Sequence, residues 1–260
     1  MPTVTFGLPD VVVVTGTGSG LGSEIATLLL DCGSKVVGVD LTSSALSDRE
    51  GYIQVTGSVS SQTTWAKVQD AINSAGSGRL GLVTSAAILD TGLIPNTTPE
   101  IIARAMEVNV TGTALAMAVL IPLMEKRGGS VVAVASVNAG LAEQQLAVYN
   151  ATKAAVRQLA RTAALDHARA GVRINVLSPG PMMAGLFKRH LESATDGDKF
   201  LATRSNRQPE GKILEAVEVA RAALFLLSDG AHAILGADLI ADGGLTAGFD
   251  FRTGAEGASV

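Results

Sequence analysis

Short β-branched runs alternate with longer stretches of helical period along nearly the whole chain. Val11 to Thr15 is a continuous apolar run, as a parallel strand covered on both faces requires. Leu21, Ile25, Leu28, Leu29 and Cys32 then recur at helical spacing, and Gly33 is placed to end that helix. The same reading predicts strands at Lys35 to Asp40, near Tyr52 to Thr56, and at Leu80 to Ser85, Ser130 to Ala135, Val172 to Leu177 and Gly236 to Ala241. Helices are predicted over 61–74, from Pro99 to Met124, over 147–170 and from Leu214 to Leu227, with Pro99 suited to a first turn. Residues 184–212 stand apart as charged, glycine-punctuated and weakly periodic. No repeat or linker divides the chain, so 1–260 reads as one α/β domain, a doubly wound parallel seven-stranded sheet with helices on both faces.

Composition narrows the class. The 260 residues are 47% hydrophobic and 17% charged, which is globular rather than disordered. Aromatics make up only 3%, so the core must rest on Val, Leu, Ile and Ala. A net charge of −4 with scattered Lys and Arg argues against nucleic-acid binding. Cys32 is the single cysteine; it fits a reducing compartment, and its place in an apolar helical pattern predicts a packing role. The beginning, MPTVTFGLPD, lacks a basic region followed by a long apolar run, and the longest greasy stretch, Leu115 to Met124, falls short of the ~20 residues of a membrane helix. The expectation is a soluble cytoplasmic protein with no membrane partner, whose Gly/Ala-rich tail over 248–260 is mobile unless a partner subunit holds it. His167, His190 and His232 show no metal-ligand spacing, so no catalytic metal is expected.

The first strand runs into Thr15-Gly16-Thr17-Gly18-Ser19-Gly20-Leu21-Gly22. A glycine-rich turn between a strand and a helix lets backbone approach a pyrophosphate, and the helix N-terminus supplies N–H donors. The spacing is GxxxGxG, on Gly16, Gly20 and Gly22. Asp40 ends the second strand. A carboxylate there accepts the ribose hydroxyls of NAD and repels the 2′-phosphate of NADP. Ser19 precedes Gly20 and Leu41 follows Asp40, so no neighbouring basic residue favours NADP.

Tyr149 and Lys153 lie four apart, on one face of a helix. A tyrosine working near neutral pH must fall about three units from its usual ~10. One ammonium at ~4 Å with an effective dielectric of ~20 supplies about that much. Ser136 follows the fifth strand, at the carboxyl edge where open α/β sheets bind ligands; it can bond a substrate oxygen or cap a turn. Asn109 interrupts an apolar helix, where it can hold a proton-passing water or satisfy local backbone.

With these motifs in order, the chain resembles the short-chain dehydrogenase/reductase family over about residues 8–248. The resemblance rests on TGTGSGLG at 15–22, Asp40, Asn109 in MEVNVTG, Ser136 in VVAVASVNAG, YNATK at 149–153, INVLSPG at 174–180 and ADGGLTA at 241–247. It implies hydride transfer between NAD(H) and a ketone or secondary alcohol. It assigns Tyr149 as acid/base, Lys153 as binder of the nicotinamide ribose, Ser136 as substrate orienter and Asn109 as holder of the relay water. Cofactor contacts are expected at Gly16, Ser19, Gly20, Leu21, Gly22, Asp40, Leu41, Ser58, Val59, Ala86, Ala87, Pro179, Gly180 and Met182, besides Tyr149 and Lys153.

The segment 184–212 becomes a substrate-binding lid, and Asn138, Gln144, Met183, Leu186 and Phe187 become candidate substrate contacts around a small-to-medium substrate with an apolar side. The family also implies a homotetramer. The chain departs from the family pattern at Thr84-Ser85-Ala86-Ala87, where Asn-Asn-Ala-Gly is usual, at Ser58 for aspartate, and at Ala184 for threonine. Each change removes a contact worth about 1 kcal/mol. A 3-oxoacyl-carrier-protein reductase and a non-catalytic nucleotide-binding scaffold are the alternative readings.

Overall fold

A computed structural model describes residues 5–248. The 249–260 part of the expected tail lies outside the described residues. Seven parallel strands form one sheet in the order β3-β2-β1-β4-β5-β6-β7: β1 (Val11–Thr15), β2 (Lys35–Asp40), β3 (Tyr52–Thr56), β4 (Leu80–Thr84), β5 (Gly129–Val134), β6 (Val172–Pro179) and β7 (Asp238–Ala241). Every residue of β1 and β4 is buried, which is why these strands read as unbroken apolar runs. The strand order reverses between β1 and β4, and the crevice at their carboxyl ends is where such sheets bind ligands.

Helices cover both faces. On one side α2 (Gln62–Ala75), α4 (Gly112–Arg127) and α5 (Ala147–His167) bury Trp65, Ile72, Leu120, Met124 and Val156. On the other, α1 (Gly20–Asp31) and α8 (Ala216–Leu227) bury Ile25, Leu29, Val219 and Leu226. Trp65, the sole tryptophan, donates its indole N–H to Val59 O at 2.7 Å, so burying it leaves no polar atom unpaid.

The predicted continuous helix from Pro99 to Met124 is interrupted. It divides into α3 (Pro99–Ala105), a π-helical turn at Met106–Thr111, and α4. The wide turn carries Asn109, whose backbone carbonyl accepts the Thr113 hydroxyl at 2.9 Å. Taken together, Pro99–Arg127 is 29 residues and contains an 18-residue window of mean hydropathy 1.5, long and apolar enough to cross a membrane. Counting only Leu115 to Met124 missed this, because Glu107 and Asn109 break the run. In the fold, Ala116, Leu120, Ile121 and Met124 pack it against the sheet as a core helix.

Two other expectations fail locally. Cys32 is exposed rather than packed. The helix stops at Asp31, and the cap conformation at Cys32, followed by Gly33 at φ +88°, turns the thiol away from the buried stripe. The weakly periodic segment holds two helices, α6 (Gly185–Ser193) and α7 (Gly197–Asn206), neither with a buried residue. α7 offers little apolar period to read, whereas α6 is amphipathic but too short, at nine residues, to stand out between its charged neighbours.

Candidate active site

The glycine turn is built by close approach. A Cβ at Gly22 would lie 2.4 Å from Gly16 O and 2.9 Å from Thr15 O, so only glycine lets α1 start this close to β1. Gly16 takes φ +79°, and a Cβ there would meet the Ala86 backbone at 2.9 Å. Helix α1 has no side-chain cap and no acidic residue in its first turn, which leaves its first N–H groups available to an anion. Asp40 stands beside this turn. One carboxylate oxygen accepts Gly18 N at 2.9 Å, and the other accepts Thr42 N at 3.0 Å and its hydroxyl at 3.1 Å. Leu41 is 71% exposed.

The loop rests on a buried polar bed. Thr17 Oγ1 and Tyr52 Oη are 2.8 Å apart, Tyr52 donates to Gln54 Oε1 at 3.0 Å, and Ser44 donates to Thr17 O at 2.9 Å. Gly38 is required beneath it, since a Cβ there would lie 2.0 Å from the Tyr52 hydroxyl oxygen. Sequence reasoning missed Thr17, Thr42 and Tyr52. Tyr52 carried a signal, being the only tyrosine besides Tyr149.

Ser136, Tyr149 and Lys153 converge at the carboxyl end of β5. Ser136 caps a 3-10 turn, its hydroxyl accepting Asn138 N at 3.1 Å, as the capping reading of that serine expects. It also faces the Tyr149 phenol and pulls its pKa down. Lys153 is buried and donates to Val134 O at 2.9 Å. Its Nζ lies 5.7 Å from the centre of the Tyr149 ring.

The electrostatics differ from the Coulomb expectation. Tyr149 is pushed up to about 12, first by desolvation and further by the Glu143 charge, with Ser136 opposing. Desolvation brings Lys153 down to about 8. The simple Coulomb sum counted a full charge at 4 Å and omitted the cost of burying either group. Burial outweighs attraction here.

The Asn109 carboxamide is fully engaged. Its oxygen accepts Ile88 N at 2.8 Å, and its nitrogen donates to Ile88 O at 3.0 Å and Thr152 Oγ1 at 3.0 Å. Thr152 in turn donates to Tyr149 O at 2.7 Å. Asn109 therefore clamps the π-helical turn to the loop after β4 and to α5, satisfying local backbone. Thr152 had no signal in the sequence beyond its place in YNATK.

The remaining residues divide between two walls. A cleft of about 550 Å³ opens between the start of α1 and α6, lined by Ser19, Gly20, Ser23, Met183, Lys188 and Arg189 among others. Tyr149 does not line it, nor do Asp40 and Leu41. The absence of basic neighbours read from the chain order is thus corrected in part. Lys188 and Arg189 come to the helix N-terminus from the lid, though not to Asp40. Gly180 meets the closing turn, where a Cβ would lie 2.8 Å from Asp242 Cβ, and its N–H donates to Ala241 O beside Pro179.

Met182 bridges to Leu214, and Leu186 and Phe187 open α6, with Phe187 5.6 Å from Phe200 of α7. On the other wall, Asn138 donates to Glu143 Oε2 at 3.1 Å. Gln144 is exposed, and Gln145 takes φ +65°, its carbonyl accepting Gly92 N at 2.8 Å.

A family model described as enoyl-(acyl carrier protein) reductase matches residues 16–246. The chain belongs to the short-chain dehydrogenase/reductase family. The 2-(S)-hydroxypropyl-CoM dehydrogenase 3 of Xanthobacter autotrophicus is 34% identical over 92% of this chain and 97% of its own. The 2,5-dichloro-2,5-cyclohexadiene-1,4-diol dehydrogenase of Sphingobium indicum is 34% identical over 91% and 96%. Among solved structures, the ligand-free aldohexose dehydrogenase of Thermoplasma acidophilum superposes with a TM-score of 0.88 at 28% identity, covering 95% of this chain and all of the other.

As a short-chain dehydrogenase/reductase, the chain absorbs its departures from the family pattern unequally. Ala87 keeps a negative φ, because Gln145 is the only non-glycine with positive φ among the described residues. A Cβ therefore costs the backbone nothing there. The Ser58 hydroxyl is 2.8 Å from that of Ser60, which donates to Glu107 Oε1 at 2.7 Å. Ala184 occupies the N-cap of α6 without a side chain to cap it.

Proposed function

We propose that this oxidoreductase moves a hydride between NAD(H) and the carbinol or carbonyl carbon of a small-to-medium secondary alcohol or ketone. The observation that carries the reading is the meeting of Tyr149, Ser136 and buried Lys153 at one strand end, beside a glycine turn whose Gly18 N–H binds Asp40. Gly16, Ser19, Gly20, Leu21 and Gly22 would hold the diphosphate, Asp40 the adenosine ribose, and Lys153 the nicotinamide ribose. With Ser58 tied to Ser60, the adenine edge falls to Val59.

In the oxidative direction Ser136 donates to the substrate oxygen, and Tyr149, as phenolate, takes the hydroxyl proton while the C=O bond forms. NAD⁺ held by these residues would supply the hydride acceptor and a positive ring whose charge favours the phenolate over a phenol of pKa about 12. Lys153, as the ammonium, would supply a second positive charge beside the phenolate. The relatives named for a 2-(S)-hydroxypropyl group and a cyclic diol support a secondary alcohol over a primary one. We also propose a cytoplasmic homotetramer, consistent with the single exposed thiol and with the exposed Ile102, Met106 and Leu165.

Two measurements test the reading. In NAD against NADP titration, NAD binds more tightly, and exchanging Asp40→Ser with Leu41→Arg reverses the order; tighter NADP binding by the unaltered chain refutes the cofactor assignment. In a panel of alcohols and ketones run in both directions, absorbance at the NADH band changes only with secondary alcohols and their ketones. No change with any compound refutes the enzyme.

A further inference from the structure

Glu143 lies six residues before Tyr149, outside every motif of the sequence. Its carboxylate is held from two sides. Asn138 donates to Oε2 at 3.1 Å, and Arg204 of α7 pairs with Oε1 at 2.6 Å. Its carbonyl accepts Asn150 Nδ2 at 3.1 Å, which fixes the backbone to the start of α5. Asn138 also donates its backbone N–H to Ser136 Oγ, so a continuous polar path runs from Ser136 through Asn138 and Glu143 to Arg204.

Arg204 belongs to the lid. Its guanidinium lies 5.3 Å from the Phe200 ring, and Phe200 packs on Phe187 and His190 of α6, so α6 and α7 are joined through one aromatic cluster. That unit has no buried residue. Among the described residues, no other ion pair or side-chain hydrogen bond joins residues 185–212 to the rest of the fold. The lid begins against the glycine turn, where a Cβ on Gly20 would meet Gly185 Cα at 3.0 Å, and it walls the cleft beside Ser19.

We infer that Glu143 and Arg204 are positioning residues, a latch that fastens the α6–α7 lid over bound cofactor and substrate and ties its closure to the Ser136–Tyr149 centre. The latch rests on the dehydrogenase reading above only for its substrate, since cofactor retention can be read without turnover. Two charged side chains, each one-third exposed, are strong enough to hold a helix pair and weak enough to release it in each cycle.

The charge has a second consequence. The groups facing the Tyr149 phenol are Ser136 from the end of β5, Lys153 along α5, and Glu143 from the intervening loop, with Arg204 of α7 behind Glu143. Glu143 raises the phenol's pKa, and Arg204 partly cancels that charge. In alcohol oxidation, activity rises with pH as the phenol loses its proton. Glu143→Gln therefore moves that limb to lower pH, and Arg204→Gln moves it to higher pH. A residue that only supports the fold does not produce opposite shifts.

The test compares wild type, Glu143→Gln, Arg204→Gln and the double exchange Glu143→Arg with Arg204→Glu. Stopped-flow NADH release reads the latch directly. Each single change speeds release by about tenfold, the size of one lost charge-assisted hydrogen bond, and the exchange restores it. Melting temperatures are recorded alongside, and a change confined to them overturns the inference. So do unaltered release rates, an exchange that fails to restore them, or pH limbs that shift together. If the release pattern appears but no alcohol is oxidised, the latch stands and the dehydrogenase reading falls.

Discussion

Lys153 is the residue with the largest conflict between folding and function. Burial lowers it from 10.5 to about 8, which means the fold carries a cost of about 3 kcal/mol at neutral pH for keeping an ammonium there. Between about 8 and 10.5 the unfolded chain binds more protons at this residue than the folded one, so Lys153 makes stability rise with pH through that window. Tyr149 acts oppositely at higher pH. Its folded pKa of about 12 exceeds its usual 10, so its contribution is lost as pH climbs from 10 to 12. The expected result, by urea unfolding, is that the stability of Lys153→Met relative to wild type declines as pH rises from 8 to 10. A pH-independent difference would mean that the ammonium is not strained. Asn109 shows a residue whose position alone called for an explanation. An asparagine inside an apolar helix needs a reason, and the reason on view is the clamp to Ile88 and Thr152.

Among the elements, α6 is the one whose sequence leaves room for repair. Ala184 stands at its N-cap with extended backbone and nothing to accept the orphan N–H groups. Replacing it with threonine supplies a cap worth about 1 kcal/mol. Ala184→Thr should raise lid protection in hydrogen exchange and lower the KM for NAD a few-fold, with kcat unchanged or reduced. A raised KM would show that the new hydroxyl obstructs the cleft instead. The strands were legible because both faces of a parallel sheet are buried, which prints an apolar run directly on the chain; predicted and observed ends differ by a residue or two at β4 and β7. The lid helices were not legible, since α7 offers little apolar period and α6 is too short to stand out between its charged neighbours. The π-helical turn escaped for another reason. Its Asn109 side chain bonds the Ile88 backbone and the Thr152 hydroxyl, both in distant segments, and helical periodicity does not encode such partners. Glu143 and Arg204 are 61 residues apart, and no local pattern relates them.

On the scale of the whole molecule, the sheet order brings together residues from β1, β2, β5, α1 and α5 at one crevice, and the lid closes over part of it. The faces away from that crevice leave large apolar side chains uncovered, with Leu165 at 73% and Ile240 at 52% exposed. We propose that these side chains lie in the subunit contacts of a tetramer. Light scattering should therefore give a tetramer, and Leu165→Glu should weaken it; a monomer at micromolar concentration would contradict that assembly. All of this serves one claim, that Tyr149 moves the proton when a secondary alcohol is oxidised. The most direct measurement is NADH formation by the purified protein, wild type against Tyr149→Phe, on the best alcohol of the panel, with NAD affinity measured for both. The account predicts that the variant keeps its NAD affinity within about twofold and loses at least a thousandfold in kcat, the upper range for one acid/base group. Undiminished turnover by Tyr149→Phe would contradict it.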